Sequence, residues 1–195
     1  KIESLTLDIS WCINIPEESI IKFAETVGKL STLKNLSFTC RRCQTSDAAI
    51  VTLAHAFSNL KELKSLNLDI YGCGEANLCD LFATFEKMQD LEKISLHLGP
   101  GRNDQTSFGD SGIKFLGEKL QNLTKLKEFN LHVHAFDNLT DQGRIDLGTC
   151  LAKIKSLETV NLRFSTCKNL TTEGTDKVGE ILSTNQNITK AYLLQ

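Results

Sequence analysis

Apolar and polar residues alternate in short bursts along this chain, and the bursts recur about every thirty residues. The copies read L-x-x-L-x-L-x-apolar: Leu33-Leu36-Phe38-Cys40, Leu63-Leu66-Leu68-Ile70, Leu91-Ile94-Leu96-Leu98, Leu126-Phe129-Leu131-Val133 and Leu157-Val160-Leu162-Phe164. Partial copies stand near both ends, Ile2-Leu5-Leu7-Ile9 and Ile188-Ala191-Leu193. The second apolar residue of each copy serves as an anchor: Leu5, Leu36, Leu66, Ile94, Phe129, Val160 and Ala191, spaced 31, 30, 28, 35, 31 and 31 residues apart. Period two around each anchor predicts a short half-buried strand.

Upstream of each anchor the period becomes helical. Apolar residues fall four and three apart: Phe23, Val27, Leu30; Leu53, Phe57, Leu60; Leu81, Phe85, Met88; Leu116, Leu120, Leu123; Leu147, Leu151, Ile154; then Val178 and Leu182, with polar Asn185 closing the last set. These spacings share one helix face. Ala24, Ala54, Gly117, Gly148 and Gly179 stand beside the first residue of their sets, which predicts a close approach of helix and sheet. Phe82 breaks the rule and is expected to push its helix outward. Ser46-Asp47, Ser111, Thr140-Asp141 and Thr171-Thr172 are expected helix caps. The stretch from Gly99 to Gly112 reads as an irregular loop or insertion, and Gly99-Pro100-Gly101 as a turn.

Strand–helix alternation at this period predicts one parallel sheet with helices outside it. Helices are wider than strands, so the stack curves and the strands line its concave face. The expectation is an α/β solenoid, a horseshoe arc of about six to seven repeats, forming one domain over residues 1–195. The chain opens on Lys1 and directly on a strand, so a piece of a longer chain is expected.

These residues resemble the leucine-rich repeat, and the helical segments are similar to its ribonuclease-inhibitor subtype, L-T-D-x-G-x-x-x-L-(A/G)-x-x-L. Leu139-Thr140-Asp141-Gln142-Gly143 continues through Leu147-Gly148 and Leu151; Leu170-Thr171-Thr172-Glu173-Gly174 continues through Val178-Gly179 and Leu182. The resemblance spans essentially the whole chain. The usual asparagine after the strand is missing, and the units exceed the family's usual twenty-eight or twenty-nine residues. The resemblance implies a protein-binding solenoid; the subtype also includes activators of a small GTPase.

Composition narrows the choice further. Twenty-two basic and 24 acidic residues leave a net charge of -2, and the bases are scattered, which argues against general affinity for nucleic acid or an anionic membrane. No apolar run is long enough to span a bilayer. Of the seven cysteines, Cys12, Cys43, Cys73 and Cys167 share one repeat position, filled by Phe136 in another unit, and Cys40 sits at a core position. They read as a buried ladder of small hydrophobes rather than a zinc site, and an unpaired thiol core suits a reducing, cytoplasmic compartment. The sequons at Asn35, Asn122, Asn138, Asn169 and Asn187 are read as chance.

The concave columns supply the candidate chemistry. Three residues past each anchor come Asp8, Thr39, Asp69, His97, His132, Arg163 and Leu194; five past come Ser10, Arg41, Tyr71, Gly99, His134 and Ser165. His97, His132 and His134 beside Asp69 could hold a metal or respond to pH, but a polar wall meeting a partner is the expectation. No G-x-S-x-G elbow or phosphate loop is present, so no catalytic residue, metal or cofactor is expected. The expected function is a non-enzymatic protein-protein interaction module, with a structural subunit of a larger assembly as the alternative. Arg41, Asp69, Tyr71, His97, His132, His134, Arg163 and Tyr192 are the expected partner-binding residues. Trp11 is an end-cap or a contact.

Overall fold

A computed structural model describes residues 1–12, 14–43, 47–71, 78–100 and 108–195. The expected cap Ser46, the ladder position Cys73 and most of the stretch after Pro100 lie outside the described residues.

Strands and helices alternate throughout: β1 (Ser4–Asp8), α1 (Glu17–Val27), β2 (Asn35–Thr39), α2 (Asp47–Phe57), β3 (Ser65–Asp69), α3 (Leu78–Phe85), β4 (Lys93–Leu98), α4 (Asp110–Leu120), β5 (Glu128–His134), α5 (Asp141–Leu151), β6 (Thr159–Ser165), α6 (Thr172–Ser183) and β7 (Lys190–Leu194). The seven strands form one open parallel sheet in sequence order. The seven anchors pair in a single row, Leu5 with Leu36, Leu66, Ile94, Phe129, Val160 and Ala191 in turn. The fold is a leucine-rich-repeat solenoid, with the sheet lining the concave side and the helices the convex side.

One backbone device holds the register. Just before each strand, a carbonyl accepts two N–H groups from the next repeat: Glu3 from Lys34 and Asn35, Lys34 from Lys64 and Ser65, and so on to Glu158 from Thr189 and Lys190. This fixes strand entry whatever the side chain. Inward residues then meet in layers: Leu36, Leu66, Ile94, Phe129 and Val160 are essentially inaccessible. At the ends the layers thin, for Leu5 is only half-buried and Ala191 is exposed.

The strand exits also repeat. Trp11, Arg42, Ala135 and Thr166, each six residues past its anchor, have φ of 64°, 52°, 59° and 61°. This left-handed residue reverses the chain and drops the next side chain inward. Cys43 and Phe136 are buried there and Cys167 is half-buried, but Cys12 is exposed. The expected ladder fails at Cys12 because no repeat packs over β1 among the described residues.

Two of the small residues on the helices act differently from expectation, whereas Gly179 faces Leu193 of β7 as expected. A side chain at Gly117 would meet Cys150 of α5 at 2.8 Å, and one at Gly148 would meet Val178 of α6 at 3.2 Å. They let neighbouring helices approach each other, rather than helix and sheet. Phe82, in place of such a residue, does not stand proud: it is fully buried, 5.9 Å from the Phe85 ring and 6.1 Å from Phe108. Asn185 is buried too, donating from Nδ2 to the Ile154 carbonyl of the previous repeat at 2.9 Å.

The T-D-x-G segment is a bracket between repeats. Asp110 accepts from the Thr140 backbone and hydroxyl at 2.8 and 2.6 Å; Asp141 does the same for Thr171 at 3.0 and 2.5 Å. Gly143 and Gly174 are required because a Cβ there would collide with those carboxylates. Thr140 and Thr171 are caps as expected, accepting from Gln142 and Gly174. Ser111 is not a cap: α4 starts at Asp110, capped by Gly109 without a side-chain bond. Phe108-Gly109-Asp110-Ser111-Gly112 is therefore a disguised copy of the same motif, not part of an irregular loop. Arg144, 2% exposed, seals the bracket, donating to Thr175 Oγ1, the Thr171 carbonyl and Asp141, with its guanidinium 5.6 Å from the Phe164 ring.

Candidate functional site

The concave face divides into two edges of different character. At the strand entries, bases and acids pair off: Lys34 with Glu3, Lys64 and Lys127 with Glu92, and Lys93 with Glu128, all within 3.1 Å. In the middle, small polar side chains bond across strands, Asn67 to Ser37 and Asn130 to Ser95. The entry edge is thereby largely paired, while in the centre the buried Asn161 Oδ1 is left without a partner.

The strand-exit edge is richer. Asp69 on β3, 7% exposed, is its hub. Arg41 Nε and Nη2, just past β2, both lie 2.6 Å from Asp69 Oδ2, and His97 Nδ1 on β4 lies 3.1 Å from the same oxygen. Nη2 is also 2.9 Å from His97 Nδ1. One tautomer cannot both accept from Nη2 and donate to the carboxylate. We assign Nδ1–H as donor to Asp69, because Nη2 has that same oxygen as its partner. Burial acts to raise the Asp69 pKa, but the bonds from His97 and Arg41 outweigh it and hold the carboxyl below its ordinary range. Arg41, hydrogen-bonded to the carboxylate, is shifted upward in return.

From this hub a row of rings runs across the sheet. His97 and His132 on β5 stack with centroids 4.2 Å apart and planes at 18°. Their registered positions on neighbouring strands enforce the contact. Tyr71, just past β3, lies 5.9 Å from His97 and 5.3 Å edge-on from His134. It reaches β5 across β4 because Gly99 leaves room; a side chain on Gly99 would collide with the Tyr71 ring. Gly99 is thus a seat for Tyr71, which its reading as a simple turn residue missed. His132 Nε2 lies 3.1 Å from Ser165 Oγ on β6, while the buried Nδ1 of His134 has no partner. Burial, reinforced by His97, Arg163, His134 and Arg41, lowers the His132 pKa from 6.5 to about 4.

At the near end, the Arg42 guanidinium sits 5.0 Å from the Trp11 ring and 5.7 Å from Tyr71. Trp11 is 61% exposed, so it is not an end-cap. Sequence columns overlooked Arg42 because it occupies the left-handed exit position, but that position also carries Trp11, and the match was the available signal. Seven expected site residues, Arg41, Asp69, Tyr71, His97, His132, His134 and Arg163, lie on this edge. Tyr192 does not join them: it stands on terminal β7 beside Asn161, 53% exposed.

Among the described residues no three His, Cys, Asp or Glu side chains converge as ligands. Among them also, no helix is long and apolar enough to cross a membrane.

The seven-stranded parallel sheet with its outer helices has a leucine-rich-repeat-like fold. Solved structures share the fold, two of them as follows. The tropomodulin C-terminal domain of Caenorhabditis elegans matches with a TM-score of 0.60 and 18% identity, covering 88% of this chain and 94% of that one. Leiomodin-1 actin-binding site 2 matches with a TM-score of 0.55 and 16% identity, covering 77% and 79%. No protein-family model and no curated protein sequence matches the chain.

Proposed function

We propose that this chain is a non-enzymatic protein-interaction module that binds a partner through the strand-exit edge of its concave face. The observation that carries the reading is the continuous row Trp11–Arg42–Tyr71–His97–His132, a half-exposed ridge on the sheet in which tryptophan, arginine and tyrosine are of the types enriched in interface hot spots. Two facts support it. One structural neighbour is an actin-binding site, so the fold serves protein recognition elsewhere. The ridge also opens to solvent rather than into an enclosed pocket, which suits a surface partner better than a small substrate. The free thiols among the described residues fit a reducing, cytoplasmic setting, and the T-D-x-G brackets favour the ribonuclease-inhibitor-like subtype.

The test is partner capture from an extract with the chain and with a variant carrying Tyr71→Ala, Arg42→Ala and Arg163→Ala. Loss of the captured protein with the variant is expected; undiminished capture overturns the reading. Co-sedimentation with filamentous actin asks whether the partner is that of the leiomodin site. A second reading, a subunit embedded in a larger assembly, is favoured by apolar side chains left accessible near β1 and on β7. Ile2, Tyr192 and Leu194 are each about half exposed, and Leu7, Ile9, Ile15, Ile20, Phe23 and Phe38 line a cleft of about 220 Å³ beside β1.

A further inference from the structure

We propose that the strand-exit edge recognises an acidic segment of the partner, laid across the strands from Trp11 to Arg163. The inference rests on the protein-binding reading and names the partner's chemistry.

Charge balance carries it. The strand-entry edge neutralises its lysines with its own glutamates. The exit edge does not. Among the described residues it sets Arg41, Arg42 and Arg163, with the histidines between them, against the carboxylates of Asp8 and Asp69, both already engaged. Asp69 is held by Arg41 and His97, and Asp8 accepts from the Ser10 backbone at 2.8 Å. Among the described residues Arg163 is exposed and makes no ion pair, and the Arg42 guanidinium rests on the ring faces of Trp11 and Tyr71. A surface whose cations lack anions complements an acidic ligand. The aromatic faces of Trp11 and Tyr71 add places for an apolar side chain within it. From β1 to β6 is five strand spacings, roughly 24 Å at ~4.8 Å each, the length of about seven extended residues.

Binding should take up a proton. The groups facing His132 are His97 and Arg41 from the earlier strands, Tyr71 and Asp69 beside them, His134 on its own strand, and Arg163 and Ser165 from β6. The carboxylate among them is spent on Arg41 and His97, so nothing nearby stabilises an imidazolium. A ligand carboxylate set between His132 and Arg163 supplies what is missing. Below the pKa that His132 takes in the complex, affinity then rises as pH falls, by up to about tenfold per pH unit, until His132 is protonated in the free protein too, at about pH 4.

The whole chain provides its own reporter, since Trp11 is its single tryptophan. The probe is a short capped oligoglutamate with one central phenylalanine, compared with its glutamine counterpart. The glutamate peptide is expected to shift Trp11 emission and the His97 and His132 ring resonances. It should bind at least about tenfold tighter than the glutamine peptide, and tighten from about pH 7.5 to about pH 5.5. His132→Gln should abolish the pH dependence, and Arg163→Gln should weaken binding several-fold with the fold intact by circular dichroism. Equal binding of both peptides, unmoved histidine resonances, or a flat pH profile in the parent chain would each overturn the proposal. If the peptide fails but the concave variant still loses its captured protein, the acid chemistry falls and the interaction module stands. If capture is undiminished, the module itself falls.

Discussion

Single residues here are explained by their neighbours in the next repeat more than by their own. Gly99 looks like turn chemistry, yet its missing side chain is where Tyr71 rests. Gly99→Ala should therefore expel the Tyr71 ring and lose its contact with His134; the Tyr71–His134 nuclear Overhauser contact reports it. The left-handed exits cost more. A β-branched side chain at positive φ is strained by roughly 1–2 kcal/mol, against roughly 0.5–1 kcal/mol of extra chain entropy for glycine. Thr166→Gly is thus expected to leave stability unchanged or raise it by up to about 1 kcal/mol in denaturant melts, unlike glycine at an ordinary strand position. His132 makes the free protein acid-sensitive. Its folded pKa lies below its unfolded one, so the unfolded chain binds more protons between about pH 6.5 and about pH 4, and stability falls as pH drops through that window. The lowered pKa of Asp69 acts in the same direction further down. His132→Gln should flatten the first part of that decline.

At the level of the element, strands and helices were readable because each carries a period, two or 3.6, that burial enforces. The seven anchors lie in one row for that reason. What escaped was everything that depends on contact between elements. Phe108-Gly109-Asp110-Ser111-Gly112 hid its kinship with Leu139-Thr140-Asp141-Gln142-Gly143 because phenylalanine and glycine replace leucine and threonine, although the aspartate and second glycine remain. Gly117 and Gly148 were readable as close-approach positions, but only the fold shows that the approaching partner is the next helix. The site was half legible. Columns of the strand brought out Asp69, His97, His132 and Arg163, whereas Arg42 and Trp11 sit on an exit turn that no strand period reaches. The bracket yields its own test. Gly174→Ala places a methyl against the Asp141 carboxylate and should cost about 1–3 kcal/mol, as overpacking does. Gly148→Ala meets only Val178 at 3.2 Å and should cost less. Equal losses in thermal or denaturant melts would mean that the bracket is not what the glycine protects.

For the molecule as a whole, a solenoid has no centre that every residue touches. Each repeat is held by two neighbours, and an end repeat by one. The middle seams here are the deepest: Leu116, Leu120, Leu147 and Leu151 are inaccessible, and the Asp110–Thr140 and Asp141–Thr171 brackets lie in the same span. Toward β1 the inward residues Leu5 and Leu7 are only half-buried, and at β7 Ala191 is exposed. Opening should therefore begin at both ends and stop at the bracketed repeats, so protection is graded along the chain. The functional edge straddles that gradient, with Trp11 and Ser10 on the loose first repeat and His97 and His132 on the tight middle ones. Hydrogen exchange is expected to be fastest in β1 and β7 and slowest in β4 to β6. Partner binding should slow β1 far more than β5, because only the loose end has order left to gain. Uniform protection along all seven strands would show that the chain unfolds as one unit, and that the end repeats are held as firmly as the middle.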